Sequence, residues 1–196
     1  NNVSIKLNLV DKPEKRKQHK KNIVRLGGLS ILLGIYVSII ILMRFNFLIF
    51  PEESLIWPIF NFAPLFFLLG FVDDIFDLSP FFRLFFQVLL SILFCFKGFL
   101  INSFQIENFL TTNINLNVDG IFATLLTVIW IVGLINAINW IDGLDGLATG
   151  ILSISLLGLI TISGFFQNFS CQLLLLIIFG SCLAFLSYNK YPAKIL

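Results

Sequence analysis

The fold is decided by residues 146–189, which read GLATGILSISLLGLITISGFFQNFSCQLLLLIIFGSCLAFLSYN. This stretch of 44 residues contains no Asp, Glu, Lys or Arg. At about 1.5 Å per residue, one helix of that length would be about twice as long as the ~30 Å hydrocarbon core of a bilayer. We therefore predict two membrane-spanning helices, joined by a turn at the small and polar residues Gly164, Gln167, Asn168 and Ser170.

The whole chain has the composition of a membrane protein. Of its 196 residues, 58% are hydrophobic and 12% are charged, whereas a soluble domain has about 25% charged residues. Apolar segments of helix length predict an all-α, polytopic transmembrane helix bundle with about six spans. The spans are 26–43, 54–72, 84–101, 120–141, 147–166 and 169–188, so a basic segment at 1–25 precedes a transmembrane helical domain at 26–196.

The basic residues predict the orientation, because cytoplasmic loops carry an excess of Lys and Arg. With the N-terminal segment in the cytoplasm, only Arg44 and Lys97 of the 13 basic residues lie outside. The opposite orientation would reverse this bias. We therefore expect a multi-pass membrane protein whose N-terminal segment lies in the cytoplasm. The basic residues on the cytoplasmic side are then Lys6, Lys12, Lys15, Arg16, Lys17, Lys20, Lys21, Arg25, Arg83, Lys190 and Lys194.

Two acidic islands lie at the ends of predicted spans, and both fall on the cytoplasmic face in this orientation. Acids beside hydrocarbon are costly, so they are functional candidates by default. Adjacent carboxylates resist joint ionisation unless a cation compensates, and Mg²⁺ prefers oxygen ligands. Asn139 offers an amide oxygen one helical turn before Asp142. The first island is Asp73, Asp74 and Asp77, and the second island is Asp142 and Asp145.

Each of these features also has a purely structural explanation. A membrane helix can end in acids because it has reached water, and Asp77 can be an extra cap for a helix that Ser79 and Pro80 are predicted to begin. The second island can consist of interfacial polar groups beside packing glycines. The basic run at 15–17 can be a topology determinant or a lipid-headgroup contact. His19 can be a solvated histidine in a loop.

Taken together, these segments resemble the polyprenyl-phosphate N-acetylhexosamine-1-phosphate transferases, in the branch that uses UDP-N-acetylglucosamine and undecaprenyl phosphate. The third of three motifs is long and specific, the second is weak alone, and their order and spacing strengthen the match. The motifs are DKPEKRKQH at 11–19 with Gly27 and Gly28 after it, GFVDDIFD at 70–77, and NAINWIDGLDGLA at 136–148.

The resemblance implies a phosphoryl transfer that depends on Mg²⁺, with Mn²⁺ as an alternative ion. N-acetylhexosamine 1-phosphate, in this branch N-acetylglucosamine 1-phosphate, passes from a UDP-sugar to undecaprenyl phosphate, UMP is released, and cell-envelope polysaccharide synthesis begins. The implied partners are the UDP-sugar, the polyprenyl phosphate lipid and the membrane, with a homodimer as one arrangement and no nucleic acid.

The resemblance also implies a location in the plasma (inner) membrane, an active site that faces the cytoplasm, and roles for individual residues. Asp73 and Asp74 are the implied catalytic residues, which activate the lipid phosphate or organise its charge. Asn139 and Asp74 are the implied metal ligands. The implied substrate-binding residues are Lys17, His19, Asp77, Asn136, Asp142 and Asp145.

The sequence departs from the family pattern at its end. In the family, a Gly-Asp-x-Gly-Ser motif whose Asp is a principal metal ligand follows the Pro-Ala-Lys segment, but here Ile195 and Leu196 follow Lys194. The first family helix, the sugar-recognition loop and the last helices have no counterpart either. We therefore expect a fragment or truncated product with little or no turnover. The alternatives are a non-catalytic membrane remnant and a small transporter whose acids line a pathway.

Overall fold

The structure, a computed structural model, describes residues 10–11, 23–24, 27–46, 56–107 and 113–193. Helices dominate this part of the chain, and two pairs of antiparallel strands accompany them. The strands are β1 (Val10–Asp11), β2 (Ile23–Val24), β3 (Ser103–Glu107) and β4 (Asn113–Asn117). The helices are α1 (Gly27–Arg44), α2 (Ile56–Phe76), α3 (Pro80–Phe96), α4 (Gly120–Ile141), α5 (Leu147–Phe165) and α6 (Phe169–Asn189).

Five of the described helices are long and apolar enough to cross a membrane, and α3 is a shorter apolar helix of 17 residues, which is the lower end of the usual length of about 17–25 residues for a membrane-spanning helix. Many of their large apolar side chains are exposed on the protein surface: Ile154 is 73% exposed and Phe165 is 87% exposed. Contiguous apolar surface of this kind is matched by lipid and not by water. The prediction of an all-α, multi-pass membrane bundle is therefore confirmed.

The remaining helix, α3, differs in its bounds from the predicted span at 84–101. It has 17 residues and begins at Pro80, where Ser79 Oγ accepts a hydrogen bond of 3.3 Å from the Phe82 amide. This is the predicted cap. The helix ends at Phe96, because Gly98 adopts a left-handed conformation with φ of 91° that stops helices. Lys97 therefore lies at the end of the helix, where it is exposed, and not inside the span.

One compact unit of the chain contains α1, α5, α6 and the C-terminal ends of α2 and α4. Helices α5 and α6 are antiparallel neighbours, because Thr149 Oγ1 lies 3.4 Å from Asn189 Oδ1 at one end and Gly164 lies against Gln172 at the other. Asn168 caps α6 by accepting a 3.1 Å hydrogen bond from the Cys171 amide. The prediction that the long apolar stretch folds back at this turn is confirmed.

The second compact unit contains α3, the β3–β4 hairpin and the larger parts of α2 and α4. Phe62 of α2 packs edge-on against Phe94 of α3, with ring centroids 5.3 Å apart. The chain leaving α3 is attached to α4, because the Ile101 amide donates to Thr127 Oγ1 at 2.9 Å. Between these helices, the described part of the polar segment forms the antiparallel β3–β4 hairpin.

Candidate active site

The first island lies where α2 ends. Asp73 is in the last turn of α2, and its Oδ2 accepts a hydrogen bond of 2.8 Å from Nη1 of Arg83. Both side chains are mostly buried, with 24% of Arg83 and 18% of Asp73 exposed. The pair forms because the chain bends sharply at Asp77, where φ is 47°. The first turn of α3 therefore lies close to the last turn of α2. Asp74 and Asp77 are exposed.

A second polar contact joins α3 to α4 within the same compact unit. Asn136 Nδ2 donates to Gln87 Oε1 at 2.7 Å and to the Val132 carbonyl at 2.8 Å. Gln87 is only 4% exposed, although it lies in an apolar helix. An Asn amide has two N–H donors, and both are engaged here. The substrate-binding role predicted for Asn136 therefore rests on its carbonyl oxygen and stays a prediction.

The predicted metal ligand Asn139 and the second island follow on from Asn136. Asn139 is exposed near the end of α4, and the Asp142 amide closes the last turn by donating to the Ile138 carbonyl at 3.1 Å. Asp142 lies just beyond the span. Desolvation by the surrounding protein raises the pKa of its carboxyl, although part of the side chain still reaches solvent.

Asp145 fastens the loop between α4 and α5 to the segment that follows α6. Its Oδ2 accepts a hydrogen bond of 3.0 Å from the Ala193 amide. The next residue, Gly146, has φ of 73° and is the N-cap residue of α5, which begins at Leu147. A cavity of about 380 Å³ opens beside this link. It is lined by Leu144, Asp145, Gly146, Leu147, Leu186, Lys190 and Tyr191.

We predict that Gly146→Ala destabilises this corner. A Cβ there would lie 3.2 Å from the Lys190 Cα and 3.3 Å from the Leu186 Cδ1, and the left-handed backbone costs a non-glycine residue about 1–2 kcal/mol. We expect the melting temperature of the protein in detergent to fall by about 5 °C. The control is Gly150→Ala, one turn into α5, where an added Cβ meets nothing within 4 Å. Equal melting temperatures for the two variants would contradict the prediction.

Comparison with known proteins identifies the family. The family model described as Glycosyl transferase family 4 matches residues 56–196, which is more than half of the chain. This chain belongs to glycosyl transferase family 4. The predicted family is thereby confirmed.

Two relatives of this family 4 chain carry related names. Over 196 residues the chain is 37% identical to the "Probable undecaprenyl-phosphate N-acetylglucosaminyl 1-phosphate transferase" of Bacillus subtilis (strain 168). That match covers 98% of the chain and 51% of the relative. A second match is 36% identical over 93 residues to the "Undecaprenyl-phosphate alpha-N-acetylglucosaminyl 1-phosphate transferase" of Pasteurella multocida (strain Pm70), covering 46% of the chain and 24% of the relative. The chain thus spans about half the length of the Bacillus protein.

The described residues of this family 4 chain offer the right kind of donor for Mg²⁺. Carboxylate and amide oxygens are its preferred protein ligands, and one or two of them commonly suffice when phosphates and water complete the shell. Asp74 and Asn139 are of this kind. Within the described ranges no three His, Cys, Asp or Glu residues gather at a spacing suited to a metal ion. The assignment of Asp74 and Asn139 as metal ligands therefore stays a prediction.

Lys17 and His19, both predicted to bind substrate, lie outside the described residues. The structure instead adds two residues that the sequence interpretation did not place at the site. Arg83 was assigned only to the cytoplasmic charge excess, and Gln87 was not considered. One signal could have revealed them: a basic residue and a glutamine four positions apart in an otherwise apolar segment, which a helix brings to one face.

Proposed function

We propose that this protein transfers N-acetylglucosamine 1-phosphate from UDP-N-acetylglucosamine to undecaprenyl phosphate and releases UMP. The observation that supports it most directly is the placement of Asp73 and Asp74 in the last turn of an apolar helix. This is where the phosphate of a membrane lipid can meet a soluble nucleotide sugar. The names of the two relatives, both undecaprenyl-phosphate N-acetylglucosaminyl 1-phosphate transferases, support the transfer of this sugar phosphate to this lipid.

In the proposed reaction, an oxygen of the lipid phosphate forms a new bond to the β-phosphorus of the UDP-sugar. The bond from that phosphorus to the bridging oxygen of the α-phosphate breaks, and UMP leaves with the electron pair. Because little covalent help is needed for phosphoryl transfer, the protein contributes mainly positioning and charge compensation. A bound Mg²⁺ would neutralise phosphate charge, and Asp74 and Asn139 are the residues proposed to hold it.

The remaining residues have roles that follow from their positions. Asp73 and Asp74 would orient the lipid phosphate and accept charge or a proton at the membrane edge. Asp142 and Asp145 would contact the nucleotide part of the UDP-sugar. The cavity beside Asp145 has room for a small polar ligand. Lys17, His19 and Asp77 would contact substrate, with the site facing the cytoplasm of the plasma membrane.

The positions of the acids favour a transferase over the transporter alternative. Acids that line a transport pathway are expected within the bilayer, facing a cavity or other helices. In the described helices, Asp73 and Asp74 lie in the last turn of α2 and Asp142 lies one residue beyond α4. Acids at the ends of spans are suited to substrates that arrive from the membrane surface.

The test is an assay of the full-length gene product in membranes that lack any other sugar-phosphate transferase. Radiolabelled UDP-N-acetylglucosamine and undecaprenyl phosphate are supplied, and lipid-linked sugar and UMP are measured together. We expect the two products in equal amounts. Solute flux across proteoliposomes without UMP release would overturn the proposal and favour a transporter, whereas activity only with a complementing C-terminal piece would identify a fragment.

We predict that the two acidic islands are accessible from one side of the membrane. In a background without Cys95, Cys171 and Cys182, the variants Asp74→Cys and Asp142→Cys should react with an impermeant thiol reagent only from the cytoplasmic side. Asn46 lies in the exposed turn after α1, and Gln167 lies in the exposed turn between α5 and α6. Cysteines at these two positions should react only from outside. Labelling of positions 74 and 142 from opposite sides would contradict the shared site.

A further inference from the structure

Helix α3 carries a row of polar groups on the face that it turns towards the protein. Arg83, Gln87 and Ser91 follow one another at intervals of four residues, which places them on one side of a helix. Gln87 and Ser91 are buried, whereas Phe81 and Phe96 are 86% and 80% exposed. The row is therefore the inner face of α3, and the phenylalanines occupy surface suited to lipid.

Two members of this row contact different helices. Arg83 binds Asp73 of α2 at 2.8 Å, and Gln87 accepts from Asn136 of α4 at 2.7 Å. Ser91, by contrast, donates to the Gln87 carbonyl of its own helix at 2.7 Å. Each contact partner on α2 or α4 belongs to a motif that carries a predicted site residue. Helix α3 thus connects both motif-bearing helices through polar side chains, and it contains no motif of its own.

These contacts are better suited to orientation than to stability. The Arg83–Asp73 pair is partly buried, and such a pair has a desolvation cost that its attraction repays only in part. Within the described part of the chain, the buried Nε of Arg83 has no hydrogen-bond partner, which adds to the cost of placing the guanidinium there. Arg83 also binds through a planar group, which fixes the direction of a carboxylate.

We propose that Arg83 and Gln87 are positioning residues for sugar-phosphate transfer. Arg83 holds the Asp73 carboxylate in its reactive direction, and Gln87 fixes the rotation of α4 through Asn136, so that Asn139 one turn later points correctly. This inference rests on the proposed function and extends it to a helix outside the three motifs. Neither residue needs to touch substrate, because each acts through its partner.

Kinetics of the full-length protein test the inference first. Arg83→Ala should lower kcat by about 100-fold, the size expected for a misplacement of about 1 Å, while KM for UDP-N-acetylglucosamine changes by less than about threefold. Arg83→Lys should recover part of the loss, because it keeps the charge without the planar fork. Gln87→Leu should lower kcat by about tenfold. The control Ser91→Ala removes an equally buried hydroxyl from the same face and should keep kcat within about twofold.

Thermal denaturation in detergent supplies a second measurement that does not need activity. Gln87→Leu and Asn136→Leu should each lower the melting temperature by about 3–6 °C, because each removes the hydrogen bond between α3 and α4 and leaves one polar partner behind. The double variant should be no less stable than either single variant, since contacting residues are not additive. Arg83→Ala and Asp73→Ala should show the same non-additivity.

The outcomes separate this inference from the proposed function. A kcat for Arg83→Ala within twofold of the wild type, a loss for Ser91→Ala as large as that for Gln87→Leu, or additive melting shifts in either pair would overturn the positioning role. If the wild-type protein transfers no sugar phosphate, the proposed function fails and the catalytic consequence fails with it. The melting shifts would still decide whether α3 holds α2 and α4.

Discussion

Asp74→Asn in the full-length protein is expected to lower the rate of sugar-phosphate transfer by about 10²–10⁴-fold, the range of a positioned group that manages a proton in the transition state. The substitution keeps the shape of the side chain and removes its charge and its basicity. Asp74 is also proposed to hold the cation, so both roles are lost together. Initial rates with saturating UDP-N-acetylglucosamine and undecaprenyl phosphate provide the measurement.

A matched control is available on α4. Asp119 is exposed just before that helix, at the end opposite the second island, and Asp119→Asn changes the charge by the same amount. We expect its rate to stay within about twofold of the wild type, as is usual for surface substitutions. Equal transfer rates for Asp74→Asn and an active wild type would exclude Asp74 as a catalytic residue.

Removal of the divalent cation should have an effect of comparable size. With excess EDTA we expect transfer to fall to background, about 10³-fold or more, because the charge that develops on the phosphates would lose its main compensation. Added Mg²⁺ should restore the rate, and Mn²⁺ should replace it in part. EDTA already saturated with Mg²⁺ is the control for effects on the membrane. Full activity in EDTA would contradict the assignment of a metal-dependent reaction.

Measuring the transfer rate against the concentration of added Mg²⁺ tests Asn139. If its amide oxygen binds the cation, Asn139→Ala should raise the Mg²⁺ concentration for half-maximal activity by about tenfold, which is about 1.4 kcal/mol. Saturating Mg²⁺ should then recover much of the rate. Asn117→Ala, at an exposed position at the end of strand β4, is the control for loss of an amide outside the site. An unchanged Mg²⁺ requirement for Asn139→Ala would exclude Asn139 as a ligand.

The sequence predicts this fold well because its decisive signals are local. The uncharged run at 146–189 requires a reversal, and Asn168 supplies the cap at that reversal. Ser79 and Pro80 likewise mark the start of α3. The end of α3 was misplaced because apolar residues continue beyond Lys97, and only the left-handed Gly98 terminates the helix. Hydrophobicity alone does not contain that information.

The candidate site was predicted less completely because its contacts are tertiary. The Asp islands are visible in the sequence as costly acids beside hydrocarbon. The partner of Asp73 is visible only once the chain bends at Asp77, which brings Arg83 back across ten residues. Gln87 and Asn136 are 49 positions apart, so no periodicity in either helix reveals that they meet. Single-helix patterns identify the motif residues but not the side chains that orient them.

The link between Asp145 and residue 193 constrains the sequence in an unusual way. Asp145 accepts from the main-chain amide of Ala193, and every residue except proline has such a donor. The identity of the side chain at 193 is thus irrelevant to the bond, whereas position 145 needs a side chain that carries an acceptor oxygen. Over evolutionary time, position 193 is therefore free to vary among nineteen residue types as far as this bond is concerned.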